Sequence, residues 1–244
     1  MTDAYALWFQ GSDRFSLVKE QLPELRAEWC RIQTVFSAIS PGTERLVYSE
    51  KIPESLYHEM RCPYMGGKFP YPVKYGYSLV GRIVEGPDES VDKLVHVLHP
   101  HQDQSVVRLE DVYPVPSTVP PRRATLASNL ETAVNAIWDA RVSIGERVVV
   151  VGFGAVGSLV ARLLTLISEV EVKIVETDAA RRKLAKQMGF EAYSPAKMGD
   201  HFDLAFHVSA TAEGLQSAIE SVDFEGRIIE LSWYGTGSVS LQLG

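Results

Sequence analysis

The sequence predicts an α/β protein of two parts, a β-rich N-terminal domain and a C-terminal domain built on a doubly wound parallel sheet. Three observations predict this class. Short alternating segments fill the first part, a valine run at 148–151 breaks abruptly into glycines, and strand and helix patterns alternate after it. With 244 residues, 45% of them hydrophobic, the chain is long enough to bury two compact cores.

The N-terminal part is predicted to be an antiparallel barrel or sandwich. Its candidate strands are separated by turns rich in Pro, Gly and Asp, and they cover residues 5–9, 31–38, 78–85, 94–98 and 105–109. Prolines crowd residues 114–121, where they cannot continue a ladder and pre-set the entry to a helix. We therefore predict one domain over residues 1–118 and a second over 119–244.

The C-terminal part alternates strands and helices. After a helix at 122–140, the candidate strands are 148–151, 172–176, 190–193, 204–208 and 227–231, and the candidate helices are 155–167, 179–188 and 212–221. Such alternation implies a parallel sheet covered by helices on both faces.

The glycine-rich turn after the valine run is the main functional signal. Buried strands favour β-branched residues, and glycines after such a strand let the backbone turn tightly and approach the phosphates of a ligand. A pyrophosphate can then lie at the N-terminus of the next helix, where free N–H groups and the helix dipole favour an anion. The predicted cofactor-binding residues of this G-x-G-x-x-G turn are Gly152, Phe153, Gly154, Ala155, Val156 and Gly157.

Glu176 strengthens this interpretation. It ends the next candidate strand, about 20 residues beyond the glycines, where a dinucleotide-binding fold places the acid that accepts hydrogen bonds from the adenosine ribose. An ordinary surface glutamate at a strand end is the alternative. A carboxylate here repels a 2′-phosphate, so NAD is favoured over NADP, although Arg181 or Arg182 could instead lie along the adenine or take that phosphate.

Composition narrows the function classes. A net charge of -7 and the lack of a basic block argue against nucleic-acid and membrane partners and favour a small-molecule substrate. Residues 1–10 lack the pattern of a signal peptide and no long apolar run occurs, so we expect a cytoplasmic protein. Cys30 and Cys62 are too few for a disulfide framework, and we expect two reduced thiols with Cys30 in the core.

The order of the domains resembles the medium-chain dehydrogenase/reductase family, also called the zinc-type alcohol dehydrogenase-like family. The resemblance lies in residues 149–157, Glu176, Arg181, Leu184 and 226–231, with weaker matches at 39–44 and 76–86. It implies a GroES-like first domain, a Rossmann second domain and an NAD(P)-dependent oxidoreductase whose active site lies between them. It also implies that Thr132 lies on the nicotinamide side of the cofactor.

The sequence departs from the family at the positions that bind zinc in its zinc-using members. Where zinc-using members have Gly-His-Glu this chain has Gly76-Tyr77-Ser78, and Ser40 replaces the other ligand of the first domain, a cysteine. Two cysteines cannot make the family's four-cysteine structural site, so no zinc is expected. The segments 40–44, 74–77 and 99–101 are similar to those of a zinc-lacking bacterial branch that includes the bacteriochlorophyllide dehydrogenases.

His99-Pro100-His101 with nearby Asp103 is the rival metal signal. Two histidines flanking a proline point in different directions if the chain is extended, so solvated loop histidines or a pair that contacts substrate are favoured over metal binding.

Without zinc, hydride transfer still needs groups that manage the substrate's proton and oxygen charge. The candidate catalytic residues are Tyr77, Thr43, Glu44, His99 and His101, with Glu131 as a further candidate. Tyr77 could instead pack with Tyr71 and Tyr75, and Glu44 and Glu131 could be ordinary turn and helix-surface residues. The function predicted is a zinc-independent NAD(P)-dependent oxidoreductase. The alternative is a non-catalytic NAD(H)-binding module, either a redox sensor or a partner subunit.

The chain stops soon after its fifth candidate parallel strand, whereas the family continues with a sixth strand and a return into the first domain. Either the sequence is a fragment or the protein dispenses with those elements. A sheet that ends early exposes an edge, and this favours self-association. Members of the family often dimerise through the strand that is missing here, so the resemblance does not decide whether the protein forms a homodimer.

Overall fold

The computed structural model describes residues 3–199 and 201–243 of the chain. It forms two compact units, residues 1–128 and 129–244. The boundary predicted at residue 118 lies before this division.

The first unit is built from two antiparallel sheets. Its strands are β1 Asp3–Gly11, β2 Arg14–Gln21, β3 Trp29–Ser37, β4 Gly66–Gly67, β5 Val73–Lys74, β6 Leu79–Glu85, β7 Leu94–Val97, β8 Gln104–Arg108 and β9 Val112–Pro114. One sheet has the order β2-β1-β5-β4 and the other β8-β3-β6-β7-β9. The helices are α1 Thr43–Tyr48 and α2 Pro121–Ala124, and single 3₁₀ turns cover Glu54–Leu56, Asp88–Ser90 and Leu109–Asp111. The predicted antiparallel β-rich domain is confirmed.

Two hydrophobic clusters stabilise the first unit. One is formed by side chains from β3, β6, β7 and β8 of the second sheet. It contains Cys30, which is fully buried as predicted. The other gathers residues of β1, α1 and β5 with an aromatic group that includes Tyr71, Tyr75 and Tyr77. The rings of Tyr75 and Tyr77 meet edge to face at 6.2 Å. The packing role considered for these tyrosines is therefore present in the structure.

The second unit is built on a five-stranded parallel sheet. Its strands are β10 Arg147–Val151, β11 Glu171–Val175, β12 Glu191–Tyr193, β13 Phe202–His207 and β14 Val222–Glu230, in the order β12-β11-β10-β13-β14. The helices that pack on it are α3 Ala127–Ala140, α4 Ala155–Leu164, α5 Ala179–Gln187 and α6 Ala212–Ser221. A 3₁₀ turn covers Pro195–Lys197.

The valine run of β10 explains why both faces of the sheet are covered. Side chains alternate along a strand, so Val148 and Val150 enter a core with α3, α4 and α5, whereas Val149 and Val151 enter a second core with Ala218 of α6. The connections leave β10 on one side towards β11 and on the other towards β13, which makes the gap between β10 and β13 the switch point of the sheet. The doubly wound fold predicted from the sequence is confirmed.

Two predicted helices were wrong in extent. The helix expected at 122–140 is broken because the Thr125 hydroxyl donates to the Arg122 carbonyl and the Leu126 N–H bonds three residues back, which ends α2. The helix expected at 155–167 ends at Leu164 for the same reason, since Thr165 Oγ1 donates to the Arg162 carbonyl at 2.8 Å.

The strands also differ in places from their predicted limits. β2, β4, β5 and β9 of the first unit were not predicted. The last strand, expected at 227–231, begins five residues earlier at Val222 and passes through a register shift beside β13. Within the described ranges, none of the helices combines the length and the apolar character needed to span a bilayer.

Candidate functional site

The glycine turn, residues 152–157, joins β10 to α4. At two of its glycines the neighbouring backbone leaves no room for a side chain. Gly152 has a φ of 106°, and a Cβ there would lie 3.0 Å from backbone atoms of Val208 and Ser209. A Cβ on Gly157 would lie 2.1 Å from the carbonyl oxygen of Gly152. These two positions exclude side chains because the chain itself occupies the space.

Gly154 differs from its two neighbours because nothing lies within 4 Å of the place a Cβ would take. Its backbone is extended, with φ -83° and ψ -161°, and it is the N-cap of α4 without any side-chain cap. Ala155 and Val156 begin the helix, and N–H groups of a first turn have no partner within the helix. An open position at a helix N-terminus is a ready anion site.

Glu176 lies against this turn and is 6% exposed. Its Oε2 accepts the N–H of Phe153 at 2.8 Å, and its Oε1 accepts the N–H of Asp178 at 2.9 Å and the Thr177 hydroxyl at 3.3 Å. A carboxylate has about four acceptor sites, so capacity remains for a ligand hydroxyl. The spacing that predicted an acid beside the glycines is therefore matched by a direct hydrogen bond.

The two arginines that follow Glu176 have different surroundings. Arg182 Nη1 donates to the carbonyls of Glu176 and Thr177 at 2.7 and 2.6 Å. These hydrogen bonds hold its guanidinium against the backbone that connects β11 to α5. Arg181 is more than half exposed, and its Nη1 lies 3.9 Å from Glu176 Oε2. Of the pair, Arg181 is the one whose guanidinium can reach a ligand.

In the first unit the structure brings Glu44 and His101 together. His101 Nε2 lies 2.6 Å from Glu44 Oε2, and Glu44, which is 1% exposed, also accepts the Ser40 N–H through Oε1 at 2.9 Å. The other ring nitrogen of His101, Nδ1, is hydrogen-bonded to Ser37 Oγ. Since a carboxylate only accepts, Nε2 carries the proton and Nδ1 accepts from the Ser37 hydroxyl when the ring is neutral. The imidazole thus links a buried carboxylate to an exposed hydroxyl.

Tyr77 and Thr43 adjoin this pair. Burial raises the pKa of Tyr77 above its ordinary value, and hydrogen bonds with Ser40 and Thr43 offset part of that increase. The ring packs in the aromatic core while the hydroxyl meets polar groups, so both roles considered for Tyr77 are compatible. We call Ser37, Ser40, Thr43, Glu44, Tyr77 and His101 the Glu44–His101 cluster.

His99 has a hydrogen-bond partner outside the Glu44–His101 cluster. Its Nδ1–H donates to the Pro100 carbonyl at 2.8 Å and its ring lies 5.3 Å from that of Tyr64. Burial lowers the pKa of His99 to about 4. The two histidines on either side of Pro100 therefore have different hydrogen-bond partners. Asp103, the third residue of the possible metal signal, accepts the Tyr5 N–H at 2.7 Å.

We expect His99 to make the stability of the first unit depend on pH. Its pKa of about 4 lies below its value of 6.5 in an unfolded chain, so unfolding takes up a proton between these values and stability falls as the pH falls through that window. Between pH 7 and 5 the loss is about 2 kcal/mol. Thermal or urea unfolding of wild type and His99→Gln at both pH values measures it. Equal losses in the two proteins would contradict the assignment.

Thr132 and Glu131 of α3 are exposed, whereas Ala133 and Ala136 of the same helix are buried. The coenzyme role expected for Thr132 and the catalytic role considered for Glu131 stay predictions.

The residues around the Glu44–His101 cluster do not suit catalytic zinc. Ser40 and Tyr77 stand where the family resemblance implies zinc ligands, and Glu44 and His101 are paired with each other. Over residues 3–199 and 201–243 no three side chains of His, Cys, Asp or Glu are grouped as metal ligands. The donor set present is one for hydrogen bonds rather than for a tetrahedral metal.

Sequence reasoning missed a polar group at the carboxyl ends of β13 and β14. His207 is fully buried and is hydrogen-bonded to Ser209 and to Glu230. A histidine at the end of a predicted buried strand, next to the switch point of the sheet, was the available signal.

Comparison with known proteins gives related dehydrogenases. No family model matches the chain. A 2-dehydro-3-deoxy-L-galactonate 5-dehydrogenase of Pseudoalteromonas atlantica is 25% identical over 146 residues, which are 55% of this chain and 42% of that protein. The match thus spans less than half of the length of this relative.

Solved structures share the fold of nearly all of this chain. A putative zinc-binding dehydrogenase from Sinorhizobium meliloti bound to NADP has a TM-score of 0.80 and 15% identity, over 99% of this chain and 80% of that one. A short chain alcohol dehydrogenase of Escherichia coli in complex with NADH has a TM-score of 0.75 and 15% identity, over 96% and 77%. This likeness confirms the two-domain α/β fold predicted from the sequence.

Proposed function

We propose that this chain is a member of the medium-chain dehydrogenase/reductase family and an NAD(P)-dependent oxidoreductase acting on an alcohol or carbonyl group. The observation that carries the proposal is the open position at Gly154, at the N-terminus of α4 and beside the carboxylate of Glu176. The named relative is a dehydrogenase, and the two structural neighbours were solved with NADP and NADH, which supports a nicotinamide coenzyme.

In this proposal the glycine turn and Glu176 hold the adenosine half of the coenzyme. The N-terminus of α4 and the open backbone at Gly154 would hold the pyrophosphate. Glu176 accepts hydrogen bonds from the ribose with the acceptor capacity that its backbone partners leave.

NAD is the preferred coenzyme in the proposal. The carboxylate of Glu176 repels a 2′-phosphate, and Arg182 is engaged by two backbone carbonyls. Arg181 remains able to reach a phosphate, so NADP binds more weakly rather than not at all.

The Glu44–His101 cluster manages the substrate proton. A nicotinamide coenzyme would supply the hydride chemistry when bound, and the chain's own residues supply the acid–base chemistry. The hydroxyls of Tyr77 and Thr43 hydrogen-bond the substrate oxygen. His101 passes a proton between the buried side of the cluster and Ser37, which is exposed at the end of β3. No zinc takes part, because Ser40 and Tyr77 stand where zinc ligands would be required.

We predict that Glu176→Ala weakens NAD binding by roughly 1–3 kcal/mol, the cost of leaving hydrogen bonds to a charged group unmade. The variant also frees the N–H of Phe153, so Glu176→Gln serves as the control that keeps an acceptor for that group. Titration of coenzyme into all three proteins measures the effect. Unchanged affinity in Glu176→Ala would mean that the ribose is held elsewhere.

The proposed activity is tested by turnover, because binding alone would also occur in a non-catalytic module. Purified protein is assayed with NAD(H) and NADP(H) against a panel of alcohols, aldehydes, ketones and quinones. Oxidation or reduction of a panel member supports the proposal. Tight NADH binding without turnover of any member would favour a redox sensor or partner subunit.

Metal analysis of the same preparation tests zinc independence. We expect turnover without stoichiometric zinc and without loss of activity after treatment with a chelator. One zinc per chain, lost together with activity, would contradict the assignment of Tyr77 and Ser40. Cytoplasmic location and a homodimer remain predictions from the sequence.

A further inference from the structure

The carboxyl ends of β13 and β14 carry a serine, a histidine and a glutamate in one hydrogen-bonded line that the proposed dehydrogenase chemistry does not use. His207, at the end of β13, is fully buried. Its Nε2 lies 2.7 Å from Ser209 Oγ, and its Nδ1 lies 2.7 Å from Glu230 Oε2. The distances satisfy the nucleophile–base and base–orienter contacts of acyl-transfer enzymes.

Glu230, the carboxylate at one end of this line, is held in place by hydrogen bonds that favour its charged form. Burial disfavours the charge on Glu230, but hydrogen bonds with His207 and Ser232 outweigh it and hold the pKa of this carboxyl below its ordinary value. Glu230 Oε1 accepts the N–H of Ser232 at 2.7 Å, and Oε2 accepts the Tyr234 hydroxyl at 3.1 Å. Because a carboxylate only accepts, Nδ1 of His207 carries the proton, which leaves Nε2 free to accept the Ser209 hydroxyl.

The hydroxyl at the other end lies over the N-terminus of α6. A Cβ on Gly214, in the first turn of this helix, would lie 2.0 Å from Ser209 Oγ, so the glycine makes room for the serine. Ser209 Oγ is also 3.0 Å from the hydroxyl of Thr211, the N-cap of α6. The first N–H groups of the helix, those of Ala212 and Glu213, have no intrahelical partner and can stabilise an oxyanion formed beside Ser209.

Ser209 is reachable from outside, unlike His207. It is half-buried, and the next residue, Ala210, is exposed and holds a φ of 55°. The N–H of Ala210 donates to Ser232 Oγ at 3.0 Å, which ties the loop that carries the serine to the end of β14. A small acyl group can therefore approach Oγ while the ring of the base, His207, stays buried.

We propose that Ser209, His207 and Glu230 form a catalytic triad that hydrolyses small carboxylic esters or thioesters. Ser209 Oγ attacks the acyl carbon and gives its proton to His207 Nε2, while the electron pair of the carbonyl moves to oxygen. The carbonyl re-forms as the bond to the leaving alcohol or thiol breaks, and His207 returns the proton to that group. Water then attacks the acyl-serine, with His207 again taking and returning a proton, and releases the carboxylic acid.

The test uses the full chain without nicotinamide coenzyme and two probes. One is hydrolysis of p-nitrophenyl acetate, followed at several substrate concentrations. The other is labelling by a fluorophosphonate, with the modified residue located by mass spectrometry of peptides. We expect saturable hydrolysis and a label on Ser209.

The variants separate the triad from incidental acylation. Ser209→Ala removes one hydroxyl from a half-buried position and should lower turnover by about 100-fold or more, and Glu230→Gln should lower it as well. Ser217→Ala, on the neighbouring helix α6, is the matched control, because the Ser217 hydroxyl donates to the Glu213 carbonyl within that helix. Circular dichroism of each variant verifies that it is folded.

Three results would overturn the proposal. The first is hydrolysis by wild type no faster than in buffer. The second is a rate in folded Ser209→Ala equal to that of wild type. The third is a fluorophosphonate label on another residue or on none.

Discussion

Gly154→Val should lose NADH affinity by on the order of 1,000-fold, about 4 kcal/mol, while the protein stays folded. The position is open, so a valine enters space that the proposal assigns to the pyrophosphate. A displaced phosphate would forfeit the hydrogen bonds that the backbone N–H groups of this helix N-terminus would offer. Hydrogen bonds to a charged group are worth about 1.5–3 kcal/mol each, so the loss of two accounts for the expected effect.

The fold should tolerate the same change. The backbone of Gly154 is extended, a conformation that valine adopts readily, and no atom lies within 4 Å of the new Cβ. A β-branched residue at an N-cap costs about 1 kcal/mol or less against glycine, so a small decrease in the unfolding temperature is expected.

Gly157→Val is the matched control in the same turn. Its Cβ would lie 2.1 Å from the Gly152 carbonyl oxygen, so this variant should unfold the second unit rather than only block a ligand. Isothermal titration with NADH and thermal unfolding, applied to both variants, separate the two effects. A folded Gly154→Val protein that binds NADH as wild type does would show that no phosphate approaches this turn.

Glu44→Gln should lower turnover by about 100-fold or more, the usual contribution of a positioned acid–base group, and leave NADH affinity unchanged. The amide retains a carbonyl oxygen for the Ser40 N–H, and its NH₂ group then faces His101 Nε2. Two donors cannot share a hydrogen bond, so the imidazole must move its proton to Nδ1, where it points to Ser37.

The reversed tautomer of His101 gives this prediction a readout besides activity. Nitrogen NMR of the histidine side chains should show the proton on Nε2 in wild type and on Nδ1 in Glu44→Gln. Glu59→Gln, which changes an exposed carboxylate of the same unit, should leave both the spectrum and turnover as in wild type. Full activity in a Glu44→Gln protein with the reversed tautomer would remove His101 from the mechanism.

The sequence predicted the second unit better than the first because its signals are local. Valines at four successive positions can be satisfied only by burial on both faces, and the structure divides them between two cores. Strands β4 and β5 have two residues each, which is too short for a periodic pattern to be detected. They pair with each other, and β5 also pairs with the distant strand β1.

The limits of site prediction are visible at three places in the chain. Glu176 could be found because its distance from the glycines along the chain is fixed by one strand and one helix. His99 and His101 could not be told apart by sequence, since their different partners, Pro100 and Glu44, depend on how the loop is folded. The line from Ser209 to Glu230 joins two strand ends, a relation that appears only once the sheet order is known.

Titration of wild-type protein with NAD⁺, NADH, NADP⁺ and NADPH tests the central claim most directly. The account predicts one site per chain, saturable binding of NADH below millimolar concentration, and weaker binding of the phosphorylated pair. No affinity for any of the four coenzymes at millimolar concentration would contradict it.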